Sequence, residues 1–106
     1  MDAGRYLMKA EMQLKRGLRN EAVDSLERAI VSAQEAGDWP GLISAHCFLG
    51  EVRFMQGDYE KATEHLSFVQ NHREKAKAHD DLLNDEIQES ALLLSLIERY
   101  SWMSPS

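Results

Sequence analysis

Three histidines recur every seven residues, at His65, His72 and His79, and imidazole is both a common metal ligand and the side chain that titrates nearest neutral pH. Seven residues along a helix span about 10.5 Å, whereas a shared metal needs each ligand within about 2.1 Å. No two members of the stripe can hold one ion without a ligand from elsewhere, and the stripe reads as a solvated helix face. His46 and Cys47 are adjacent, but helix neighbours point about 100° apart, so adjacency makes no nucleophile–base dyad. Cys47 reads as a small core or groove residue. Asp80, Asp81, Asp85, Glu86 and Glu89 crowd one stretch, without the alternation and glycine of a calcium loop. There is no glycine-rich phosphate loop and no serine–histidine–acid spacing. The sequence therefore predicts no catalytic residue, no metal, no cofactor and no enzyme.

The composition narrows the partners. A net charge of −6 across 106 residues argues against nucleic acid, which selects clustered cationic surface. The charge is uneven: residues 1–20 carry five basic groups against two acidic ones, leaving the remainder at −9. A single cysteine rules out an intrachain disulfide and fits a reducing compartment. There is no signal-like segment and no apolar run near the ~20 residues that span a bilayer. The expectation is a cytoplasmic chain with no membrane association, folded as one domain over 1–103 with a frayed tail at 104–106.

The elements that must position these side chains are helices. The run Leu49–Leu66 has a weaker copy 40 residues upstream: Gly57 answers Gly17, Ala62 answers Ala22, Leu66 answers Leu26, Glu51 answers Glu11, and Gly50 answers Ala10. A fixed period of this length means stacked structural repeats. Gly17, Gly37 and Gly57 suit the left-handed residue that closes a helix, Asp38 and Asp58 suit N-caps, and Pro40 is tolerated in a first turn. Asp80, Asp81 or Asn84 can cap a last helix. Apolar stripes at helical spacing, such as Ala22, Leu26, Ala29, Ile30 and Ala33, fill the intervals. Five helices are expected, at about 3–16, 20–36, 39–56, 59–77 and 82–101, with successive ones antiparallel.

Leu49-Gly50, Gly57-Asp58-Tyr59, Ala62 and Leu66 resemble the tetratricopeptide repeat (TPR). Ala10, Gly17, Ala22, Leu26 and Ala29 carry the likeness in the first copy, where Arg19 stands for the tyrosine and Lys9 for a leucine. Helix 3–16 is also open to a second register, with Leu7, Ala10 and Leu14 inward. Ala36-Gly37-Asp38 and the 40-residue spacing resemble the family's long-helix subclass. The resemblance implies an all-α fold, a short right-handed α-solenoid of two repeats, about 4–37 and 38–78. A capping helix at about 82–101 completes it, with Ser90-Ala91 as its small pair.

The resemblance also implies a concave groove lined by the first helix of each pair. By spacing, that groove comprises Leu7, Met8, Glu11, Leu14 and Lys15, then Cys47, Phe48, Glu51, Phe54 and Met55, and on the last helix Gln88, Leu92, Ser95 and Leu96. Phe48, Phe54, Met55 and Leu92 are equally able to pack against neighbouring helices. The cationic and amide side chains that clamp chaperone tails in this family are absent. A partly apolar groove implies a protein–protein adaptor that holds a partner's peptide or helix. The alternatives are a self-associating module whose groove is filled by another copy, and a small regulatory subunit.

Overall fold

A computed structural model describes residues 2–77 and 83–103 of the chain. His79, Asp80, Asp81 and the tail 104–106 lie outside them. The order is α1 (Ala3–Lys15), α2 (Arg19–Ala36), α3 (Trp39–Met55), α4 (Tyr59–Asn71), α5 (Arg73–Lys77) and α6 (Asn84–Met103). The shortest dimension, 20 Å, is about two helix diameters. One layer holds α1, α3 and α6, the other α2 and α4, the arrangement of a short α-solenoid.

The same closure recurs three times at a spacing of 20 residues. Gly17, Gly37 and Gly57 adopt φ of 76°, 65° and 79°. In each case the following amide reaches back to a carbonyl of the last turn: Leu18 to Gln13 at 2.8 Å, Asp38 to Ala33 at 2.9 Å, Asp58 to Arg53 at 2.9 Å. These are Schellman closures, and they satisfy carbonyls that a helix end would otherwise leave bare. The aspartates then open the next helices. Asp38 accepts from the Gly41 amide at 2.9 Å and Asp58 from the Lys61 amide at 3.2 Å. A Gly-Asp pair thus ends one helix and starts another within two residues, which forces the hairpin.

Small residues set how closely the paired helices approach. Ala10, Ala22, Ala29 and Ala62 are fully buried. A methyl group on Gly50 would lie 2.7 Å from Cγ and Cδ2 of Leu66 and 3.3 Å from the Leu66 amide nitrogen. Close contact of α3 with α4 is therefore what a mid-helix glycine gains in return for its lower helix propensity. Ala10, Leu26, Leu49 and Val52 join the first pair to α3, and Ile43, Cys47, Val69 and Leu83 join the second pair to the start of α6. A polar lock secures α6: Gln70 Nε2 donates to the Ile87 carbonyl and to Ser90 Oγ, both at 2.8 Å.

The expected helix 59–77 is divided at His72. The His72 ring sits 2.8 Å from the Phe68 carbonyl through Nδ1 and stacks on the Phe68 ring at 4.1 Å. A side chain bonded to the backbone of the preceding turn competes with helix continuation, and His72 becomes a cap with φ −116°. In the first helix, Ala3 and Ala10 are buried, Leu7 and Leu14 pack on the core and Lys9 is exposed, which selects the register with Leu7, Ala10 and Leu14 inward.

Candidate partner-binding groove

The first helices of three successive units lie side by side, and a groove of about 270 Å³ runs between them. Leu7, Met8 and Glu11 come from α1; Ser44, Cys47, Phe48 and Glu51 from α3; Glu86 and Glu89 from α6. Each set repeats at three or four residues, the spacing that keeps side chains on one helix face. Met8 is 67% exposed, whereas Phe48 and Leu7 are half-buried against the Leu26–Leu49 cluster and show the groove one edge.

The far wall is acidic. Burial, then a hydrogen bond to the Glu89 carboxylate and its charge, pushes the Glu51 carboxyl up to about 7. Burial, reinforced by Glu89, Glu86 and Glu51, pushes the Cys47 thiol up to about 12. Its Sγ donates to the Glu86 carbonyl at 3.6 Å. A neutral, buried thiol is a packing group and no nucleophile at physiological pH.

Six residues of the expected groove meet here: Leu7, Met8, Glu11, Cys47, Phe48 and Glu51. The other eight sit elsewhere. Leu14 packs on the core beside Phe48, and exposed Lys15 pairs with Glu11 at 3.5 Å. Phe54 packs with Ala62, Leu66 and Ile97 and meets the Tyr59 ring edge at 5.5 Å. Met55, Gln88 and Leu92 are exposed outside the groove, as is Ser95, while Leu96 is half-buried. The inner face of α6 is set by Leu83, Ser90 and Ile97. Gln88 and Leu92 each stand two residues from Ser90, about 160° round the helix. The acidic wall, Glu86 and Glu89, and Ser44 went unforeseen. The buried 83–90–97 repeat, with Glu86 and Glu89 flanking Ser90, is the signal that locates the glutamates.

The two described members of the histidine stripe, His65 and His72, belong to a different surface and are half-buried. His65 and His72 face α3. His46 Nδ1 lies 3.0 Å from His65 Nδ1, the His46 ring stacks on Phe68 at 3.8 Å, and His72 meets Trp39 at 5.4 Å with Lys75 Nζ over the indole at 4.6 Å. The reason is that residues 65, 68 and 72 share one helical face, the one that packs on α3. Burial, then the charges of His65 and His72, lowers His46 to about 4, and burial also lowers His65. A neutral pair, one nitrogen donating and one accepting, follows. Among the described residues no three histidine, cysteine, aspartate or glutamate side chains are grouped to hold a metal ion, and no helix is long and apolar enough to cross a membrane.

Comparison with known families places residues 4–67 on the model of the tetratricopeptide repeat. The chain belongs to the tetratricopeptide repeat family. No curated protein and no solved structure shows a significant match. The TPR match covers α1 to α3 and most of α4, and α6 packs beyond it in the position of a further first helix. TPR units are non-enzymatic scaffolds that generally mediate protein–protein interaction.

Proposed function

We propose that this chain is an interaction adaptor that holds a peptide or helix of a partner protein in the groove between α1, α3 and α6. The observation that carries this reading is the grouping of Leu7, Met8 and Phe48, partly open to solvent, where all three first helices converge. A solvent-facing methionine beside an aromatic edge is an adaptable apolar anchor, and the glutamates around it supply a polar rim. The neutral thiol of Cys47 forms the floor and suits a reducing compartment, so a cytoplasmic setting is part of the reading.

Truncating the anchors tests it. Met8→Ala and Phe48→Ala are each expected to weaken capture of the native-host partner about tenfold, the cost of a contact worth over about 1 kcal/mol. Val31→Ala, on α2 and 52% exposed, leaves capture unchanged. Met8 contributes so little to the core that its variant separates docking from folding. Capture that survives at Met8 and fails at Val31 would place the docking face on α2 instead.

A further inference from the structure

Among the described residues no cationic side chain pairs with Glu51, Glu86 or Glu89. None of the three groove-wall glutamates takes part in the ion pairs Lys15–Glu11, Arg28–Asp24 and Arg53–Glu27. Glu86 Oε2 is sealed from solvent and has no hydrogen-bond partner among the described residues. Glu51 lines the same wall as two further carboxylates, Glu86 and Glu89. A hidden acceptor left unpaired is costly, and two carboxylates in contact repel unless a proton or a cation lies between them. The opposite wall is apolar, formed by Leu7, Met8 and Phe48.

We propose that the groove takes a cationic amphipathic segment of a partner protein, with its apolar edge on Leu7, Met8 and Phe48 and its lysine or arginine groups on Glu51, Glu86 and Glu89. This rests on the docking reading above and adds the chemistry of the occupant. Charge complementarity selects it: a positively charged N–H donor seated against the wall of Glu51, Glu86 and Glu89 offsets their crowded charge and replaces the proton on Glu51 with a stronger, charge-assisted contact. A segment with apolar residues at i, i+3, i+4 and basic residues on one flank matches a groove with one apolar and one acidic wall. A second copy fits less well. The basic helix of this chain, α1, already commits Leu7, Met8 and Glu11 to lining its own groove.

The segment also acquires a pH dependence. Glu51 faces Glu11 from α1 and Glu86 and Glu89 from α6, with Cys47 a turn away on its own helix. Below pH 7 the proton on Glu51 competes with the incoming cation, so affinity rises with pH and binding releases a proton.

Calorimetric titration of the full chain with a synthetic leucine–lysine amphipathic peptide, and with the same peptide carrying glutamate for every lysine, tests the proposal. The lysine peptide should bind at least about tenfold more tightly than the glutamate peptide, and about tenfold more weakly at pH 6 than at pH 8. Glu51→Gln with Glu89→Gln should weaken the lysine peptide about tenfold and flatten the pH profile, while Glu21→Gln with Glu35→Gln on α2 changes neither. Equal binding of both peptides, or equal loss from the α2 variant, overturns the cationic occupant. So does a chain that self-associates through Met8 and is not displaced by the lysine peptide. If the glutamate peptide binds as well and Met8→Ala weakens it, docking stands and only its charge preference falls. If neither peptide responds to Met8→Ala, both readings fall.

Discussion

Glu51 and His46 stand five residues apart on α3 and carry protons that act on stability in opposite directions. The folded chain holds the Glu51 proton up to about pH 7, above its ordinary 4.5, so its contribution is full below pH 4.5 and is lost as pH rises through 7. The folded chain refuses the His46 proton down to about pH 4, below its ordinary 6.5. Its contribution is full above pH 6.5 and is lost as pH falls through 4. Between pH 4.5 and 6.5 the two slopes oppose. Glu51→Gln is expected to make the melting temperature rise more steeply with pH across that window than in the parent chain. His46→Phe, which keeps a ring on Phe68, is expected to tilt the profile the other way. Parallel profiles for all three chains would refute these proton assignments. The partners of these side chains were only half legible in the sequence. A heptad of histidines gives a helical face but not its direction, and α3 supplies His46 and Trp39 from residues far from the stripe.

At the scale of elements, two glycines do different work and a pair of substitutions separates them. Alanine at Gly50 would place a methyl 2.7 Å from the buried Leu66 side chain. Overpacking of this kind costs about 1–3 kcal/mol, partly offset by about 1 kcal/mol of helix propensity. Alanine at Gly57 meets nothing within 4 Å but must hold φ near +79°, at about 1–2 kcal/mol. Asparagine tolerates the left-handed region, so Gly57→Asn should recover much of that loss in denaturant melts and Gly50→Asn should recover none. Recovery at both positions would show that Gly50 is no contact point. The three Gly closures and their aspartate caps were legible because each depends on local backbone needs. The break at His72 was not, since it depends on a ring stack reaching Trp39 on another helix. The face of α6 was misjudged for a related reason: Ser90-Ala91 offers two small residues, and only the Gln70 lock on α4 decides that Ser90 points inward.

For the whole molecule, the solenoid brings together what no single helix contains. Residues 7 and 8, 48 and 51, and 86 and 89 are distant in the chain, and stacking α1, α3 and α6 turns them into one groove with an apolar and an acidic wall. The 40-residue period made the stacking legible, and with it the share of α1 and α3; the acidic wall emerges only once α6 is docked. A photo-crosslinking residue at position 8, and another at position 31 on α2, test the central claim most directly. With the native partner present, position 8 is expected to give the covalent adduct and position 31 to give none. An adduct at position 31 and none at position 8 would contradict the groove as the docking site.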